Sequence, residues 1–273
     1  MKLAKLHIEN FKSFGKATVE LNDFNVLIGP NAAGKTNFLH VLNFLRDISR
    51  HGLENAISLQ GGTEFVRNIL LKNRNNILKI SAEFIPDKPY GIKKEIGGND
   101  HELRLTRLDY SFALDLSEGE REAVIIDDGM SVHFDDKEQG KEKSREFSFD
   151  IKISGKKIKT SFSKKMKITA AELFPQIEDL EKFLKLNDFG KLIIESPLVY
   201  SFPFERIITF IKGIRIYDFD SRIPRQAMQH IGKAELEENG ENVAIVLRRI
   251  LSHEDSRRKF FNFTGEILPF IRD

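Results

Sequence analysis

The residues with the clearest chemical content are Gly29-Pro30-Asn31-Ala32-Ala33-Gly34-Lys35-Thr36, which match G-x-x-x-x-G-K-[ST] at every fixed position. Gly29 and Gly34 permit backbone angles and close approaches that a β-carbon would block. The chain from Gly29 through Pro30, Asn31, Ala32 and Ala33 to Gly34 can therefore turn its N–H groups toward phosphate oxygens. A helix opening at Lys35 adds its unpaired amides and positive end to the field on those phosphates. Lys35 is the expected catalytic residue, reaching the β and γ phosphates, and Thr36 is expected to place its hydroxyl on Mg²⁺. Asn31 and Asn37 flank the loop and shape it. The expected ligands are ATP and Mg²⁺.

Such a loop must be held between a strand and a helix. Leu3 to Ile8 and Ala17 to Leu21 alternate apolar with polar residues, and Phe24 to Ile28 is a short apolar run ending at Gly29. These read as three strands, the third buried. From Lys35 onward Phe38, Val41, Leu42, Leu45 and Ile48 recur at helical spacing, with Leu39 and Phe44 widening the stripe. Ile77 to Phe84, Leu108 to Leu116 and Phe147 to Ile153 read as strands between polar stretches, and Asp135 to Arg145 as a solvated hairpin tip. Beyond Ile168 the pattern turns helical. Helices are expected over Leu173–Leu186 with Pro175 in the first turn, Phe204–Ile211, Asn242–Leu251 and Ser256–Ile271, with a strand at Ile214–Phe219. The reading is one α/β P-loop domain over residues 1–273: strands, loop and first helix at 1–50, an inserted antiparallel β lobe at 77–165 and a helical part at 170–273.

Composition narrows the function. The chain has 273 residues, 40% hydrophobic and 31% charged, enough for a sizeable core. With 43 Lys+Arg against 41 Asp+Glu there is no global field for nucleic acid or membrane, so any DNA contact must come from a local patch. The absence of cysteine excludes disulfides, thiolate nucleophiles and Cys-ligated zinc, and fits a cytoplasmic protein. No apolar run has the length of a signal peptide core or a membrane span. The 23 phenylalanines scatter through strand and helix patterns and read as core packing.

Leu6-His7-Ile8-Glu9-Asn10-Phe11-Lys12-Ser13-Phe14, followed by Phe24 to Ile28 and GPNAAGKTN, resembles the opening of RecF-like and SMC-like ATPases. These are relatives of the ABC-transporter ATPases, and within them the chain looks most like the ATPase part of overcoming-lysogenization-defect (OLD) proteins. Ile216-Tyr217-Asp218-Phe219-Asp220 and Asn239-Gly240-Glu241-Asn242-Val243-Ala244-Ile245-Val246-Leu247 are similar to a strand and a G-x-N-L-A-x-x-L helix start of that group, with Val243 where the pattern has Leu. Ile267-Leu268-Pro269-Phe270-Ile271 resembles the helix end that follows. The resemblance implies an ATPase head that dimerises around ATP, in DNA repair or phage defence, with DNA as a possible partner. It also implies that Asn10 to Lys12 sit beside the nucleotide, with Lys12 approaching its phosphates. Gln60 and Gln226 are candidates for the glutamine that senses Mg²⁺.

A complete head of this kind also needs a signature helix, a strand ending in Asp-Glu and a switch histidine. Leu116 to Arg121 imitates the signature and Val124 to Asp128 the acidic strand, but only Glu122 and Ala123 separate them, too few for the helix required. A β-hairpin, Leu108–Leu116 with Ala123–Ile126, is the plainer reading. Leu192 to Pro197 imitates the acidic strand with Glu195 where Asp belongs and Ser196 where the base belongs. The seven histidines form no metal-ligand pair with acidic company. The expectation is therefore an incomplete head, half of a composite ATPase centre: a fragment of a longer chain or a split protein whose second half is a partner chain, with a homodimer as the other expected assembly. A non-hydrolysing nucleotide-binding regulatory or assembly module is the alternative.

Overall fold

The computed structural model describes residues 1–68, 70, 76–117, 123–139, 144–164, 169–175, 177–196, 203–219 and 235–268. The chain divides into two compact units, Met1–Ile214 and Arg215–Asp273.

The first unit is built on one antiparallel sheet: β1 (Lys2–Phe11), β2 (Phe14–Glu20), β3 (Ile77–Ile85), β4 (Tyr90–Ile96), β5 (Asn99–Asp115), β6 (Val124–Glu138), β7 (Arg145–Ser154) and β8 (Lys157–Phe162). The order is β2-β1-β3-β5-β6-β7-β8, with β4 pairing along the first part of β5. The strands expected as an inserted lobe thus continue the N-terminal pair, since Ile80 of β3 lies opposite Ile8 of β1 and Phe112 of β5. Alternation fixes the faces. Leu6, Ile8, Leu78, Ile80, Phe112, Val132, Phe134, Phe149 and Ile151 are buried on one side, while Lys5, His7, Glu9, Lys79 and Lys152 alternate with them on the other.

Helix α1 (Lys35–His51) presents Phe38, Val41, Phe44, Leu45 and Ile48 to this core, and Phe44 meets Phe11 of β1 at 5.7 Å. Leu39, expected to widen its buried stripe, stays exposed. α2 (Leu53–Leu59) and α3 (Thr63–Val66) follow. α4 (Ala170–Leu173), α5 (Ile177–Leu186) and α6 (Phe204–Lys212) complete the layer, and α6 buries Phe204, Ile207, Ile208 and Ile211. Phe134, Phe149 and Phe204 surround Phe174 at 6.1, 4.8 and 5.5 Å between ring centroids. The phenylalanines here are core, as composition suggested.

Four local expectations are corrected. Phe24–Ile28 forms no strand, and Phe24, Val26, Leu27 and Ile28 are exposed. A buried strand needs ladder partners at its edges and cover on both faces, and none of the described residues pairs with this segment. Pro175 does not sit in the first turn of one helix but separates α4 from α5, because it lacks the N–H that a continuous helix would use there. Ile214–Phe219 is not a strand. Of its backbone, the Asp218 N–H donates to Glu238 O at 2.9 Å. Finally, the charged run from Asp135 is partly strand. Asp135 and Asp136 belong to β6, and Asp136 is buried 2.7 Å from His101 Nδ1. The expected hairpin of Leu108–Leu116 with Ala123–Ile126 is present as β5 and β6, paired at Leu114↔Ile125 and Asp115↔Val124.

The second unit holds α7 (Val243–Leu251) and α8 (Glu254–Ile267). Before α7, Asn242 is buried: its Oδ1 accepts from Glu237 N at 2.8 Å and its Nδ2 donates to Glu235 O at 2.7 Å. Gly240 has φ +75°, and a β-carbon there would lie 2.4 Å from the Phe219 ring. The Gly and Asn of the G-x-N-L-A-like segment therefore shape a turn.

Candidate active site

The phosphate loop runs from Gly29 to Gly34 and is exposed from Gly29 to Ala33. It is closed on itself by Ala33 N donating to Pro30 O at 3.3 Å. Gly29 has φ +155°, Ala32 φ +63° and Gly34 φ +92°. The left-handed Ala32 is an uncommon conformation for a residue with a β-carbon, a strain that gathers where function requires a fixed loop. A side chain at Gly34 would be strained at that φ, and its β-carbon would stand 3.1 Å from Ser13 Oγ.

Helix α1 starts at Lys35 with Gly34 as N-cap, without a capping side chain and without an acidic residue in the first turn. Its terminal amides and positive dipole end are therefore not neutralised locally, and over 17 residues the dipole is fully developed. Lys35 folds back over the loop, its Nζ donating to Gly29 O at 2.8 Å and to Pro30 O at 2.7 Å. Thr36 is exposed one residue into the helix. Amide donors, a lysine ammonium and a hydroxyl thus converge at one helix end, which fits the phosphates of a nucleoside triphosphate and its Mg²⁺.

A second layer comes from the β1–β2 turn. The two strands pair at Phe11↔Phe14, leaving Lys12 and Ser13 as the turn, with Lys12 at φ +47°. Ser13 Oγ accepts from Asn37 Nδ2 at 2.7 Å, which ties the turn to the first turn of α1. Lys12 N donates to Val66 O at 2.8 Å, and burial lowers its ammonium below the ordinary lysine range. His40 on α1 is held low, first by its own burial and then by the Lys12 charge. Asn10, buried at φ +58°, accepts from Asn68 N at 3.0 Å and donates to Ile77 O at 3.3 Å. The structure thus brings the Asn10–Phe14 turn to the phosphate loop. Ser13 was not singled out from the sequence as a site residue; its position in a two-residue turn after an alternating strand is the signal that could have found it.

The other sequence candidates lie elsewhere. Gln60 caps the C-terminal end of α2, and Gln226 lies outside the described residues. The Leu192–Ser196 stretch is a 3-10 turn (Ile193–Glu195) rather than an acidic strand. Glu195 binds Leu192 N at 2.9 Å and Leu53 N, the start of α2, at 3.2 Å. Burial raises its carboxyl above the usual range, opposed by those amides and by Lys191. Asp128 of β6, fully buried beside the Tyr110 phenol, accepts from Ile193 N and is pushed up to about 7 by burial. Both carboxyls are therefore tied to the 3-10 turn and α2. Among the described residues no group of three His, Cys, Asp or Glu could hold a metal ion. The protein's contribution to a metal at the phosphate loop would be the Thr36 hydroxyl.

Comparison with known proteins places the chain in a family. A model of the AAA ATPase domain matches residues 1–237. The chain is 47% identical over 47 residues to the endonuclease GajA of Bacillus cereus, covering 17% of this chain and 8% of that protein. It is 23% identical over 234 residues to the chromosome partition protein Smc of Methanocaldococcus jannaschii, covering 68% of this chain and 19% of that one. The chain thus spans less than a fifth of either relative's length. These matches agree with the RecF/SMC/OLD-like opening read from Leu6–Phe14 and the phosphate loop, and the chain belongs to the AAA ATPase domain family.

Proposed function

We propose that this chain binds ATP·Mg²⁺ at Gly29–Thr36 and forms one half of a composite ATPase head of the RecF/SMC/OLD-like group. The observation that carries this is the convergence of the Lys35 ammonium, the loop backbone and the uncapped start of α1 at one exposed helix end. Lys35 exchanges the Gly29 and Pro30 carbonyls for β and γ phosphate oxygens. The amides of Ala32 to Thr36 hold the same phosphates, and Asn37, fixed by Ser13, keeps the first helical turn in place. Lys12, partly desolvated, contributes positive charge beside the loop. Thr36 holds the metal, which when bound neutralises charge developing on the phosphates.

The apolar run Phe24–Ile28 gains its ladder partners from the remainder of the head. That remainder, from a longer chain or a partner chain, brings the signature helix and the acidic carboxylates. The head closes on ATP and reopens on hydrolysis, in the cytoplasm, within DNA repair or phage defence.

The test is titration of ATP·Mg²⁺ into the purified chain and into Lys35→Ala. Loss of one charge-assisted contact of about 1.5–3 kcal/mol predicts roughly tenfold to 150-fold weaker binding. Equal affinity of the two proteins overturns the assignment. A second reading, a nucleotide-binding assembly module that never hydrolyses, draws on the engagement of Asp128 and Glu195 in structural bonds. It predicts that ATP changes oligomeric state while turnover stays at zero even when the rest of the head is supplied.

A further inference from the structure

The end of α1 remote from the phosphate loop opens on a cavity of about 330 Å³, bounded by the last residues of α1, the turn after α5 and the end of α6. α1 has 17 residues, so about 25 Å of helix separates this cavity from the loop. Arg50, Lys191 and Lys212 border it, against one carboxylate, Glu195, among the described residues. Arg50 is held across the gap, its Nε donating to Lys212 O at 2.9 Å and its Nη2 to the same oxygen. Lys191 Nζ stands 3.7 Å from Glu195 and 3.8 Å from the place a β-carbon on Gly52 would take. The Glu195 oxygens already accept from Leu192 N and Leu53 N, so much of that carboxylate's field is spent within the fold.

Basic side chains near helix C-termini complement the helix dipole, which accounts for Arg50 and Lys212. Lys191 lies in no helix and is not explained that way. The terminal carbonyls are in any case taken up by the chain: Gly52 N donates to Ile48 O at 2.9 Å, and Gly213 N to Thr209 O and Phe210 O at 3.0 and 3.1 Å. Ser49 borders the same cavity, is 7% exposed, and its Oγ has no hydrogen-bond partner among the described residues. A buried hydroxyl without a partner is uncommon in a folded protein. A ligand oxygen seated against it supplies one.

We infer that this cavity is a second anion site, taking a phosphoryl dianion between the Arg50 guanidinium and the Lys191 and Lys212 ammoniums. A guanidinium fork and two point charges match a doubly charged group with several acceptor oxygens, whereas a single carboxylate leaves positive charge unmatched. The volume is at the low end for small-molecule sites and suits free phosphate or a small phosphate ester. An occupant bridges α1, α6 and the turn that Glu195 fastens to the start of α2, the position of an effector acting on the helix that carries the phosphate loop. The inference goes beyond ATP binding and makes no use of Lys35, so either reading can fail alone.

The experiment titrates inorganic phosphate and ribose 5-phosphate, by calorimetry at constant ionic strength, into the full chain carrying Lys35→Ala, which removes the lysine of the loop. Further chains add Lys191→Gln, Arg50→Gln with Lys191→Gln, or the control pair Lys16→Gln with Lys93→Gln, and thermal melting verifies folding. The expected result is that the Lys35→Ala chain binds, that Lys191→Gln weakens binding about tenfold or more, and that the control pair changes nothing. The tighter of the two probes identifies the free ion or the ester as the occupant. The inference is overturned if the Lys35→Ala chain binds neither probe, or if Lys191→Gln binds as tightly as its parent. It is likewise overturned if the control pair loses as much, or if acetate binds as tightly as phosphate.

Discussion

Residues 77–162 and the segment Phe24–Ile28 are both rich in apolar side chains, yet the first buries them and the second does not. In the strands, Leu78, Ile80, Phe112, Phe134 and Phe149 are each no more than 2% exposed, whereas Phe24 and Ile28 are 84% and 89% exposed. The difference lies in where the partners come from. Antiparallel hairpins such as β5–β6 and β6–β7 find their ladder in the next stretch of chain. The strand of a phosphate loop belongs to parallel pairing, whose partners arrive only through long crossovers. One region therefore has its ladder partners among the described residues, while the other pairs with none of them.

The largest effect that can test this contrast is in the completed region. Phe174→Ala removes the ring packed among Phe134, Phe149 and Phe204 and should cost about 3–5 kcal/mol in urea unfolding. A loss below about 1 kcal/mol would mean that this core is not close-packed.

An intermediate effect concerns the buried acid that joins β6 to the turn before α6. The folded Asp128 carboxyl stands at about 7 against 3.8 for the free group, raised by burial. The folded state thus holds a proton that the unfolded state has already released. Its stabilising contribution is full below about pH 4 and declines as pH rises through 7. Between pH 5 and 8 the wild type should lose on the order of 2 kcal/mol from this site. Asp128→Asn, which keeps an acceptor for Ile193 N, should flatten that decline. An identical pH profile in the variant would remove Asp128 from the account.

The smallest effect belongs to the exposed segment. Phe24→Ser with Ile28→Ser should change the stability of this chain by no more than about 0.5 kcal/mol, because neither side chain leaves an apolar environment on unfolding. A fall of several kcal/mol in the melting experiment would break the comparison by showing that the run is already packed.

How much was legible follows the same division. The loop at Gly29–Gly34 and the helix that opens at Lys35 were readable because glycine, lysine and threonine at fixed spacing have few other uses, and β1, β2, α1 and α6 were readable because each carries its own period. Three features escaped local reading. Pro175 lay between two helices rather than inside one, Ile214–Phe219 had strand composition without a strand to pair with among the described residues, and Asp136 was buried by pairing with His101 from β5. Each depends on a residue distant in sequence or on a backbone group that periodicity does not record.

By itself the sequence determined the glycine, lysine and threonine spacing of Gly29–Thr36, from which phosphate binding is proposed, and the period of most elements, since backbone freedom, charge and side-chain alternation are local properties. Tertiary structure alone decided that the β1–β2 turn reaches the loop through Ser13 and Asn37, and that Glu195 and Asp128 accept hydrogen bonds from Leu53 N and Ile193 N. It alone brought Arg50, Lys191 and Lys212 together around one cavity. Register and long-range contact set those relations, and they exist only once distant strands have paired.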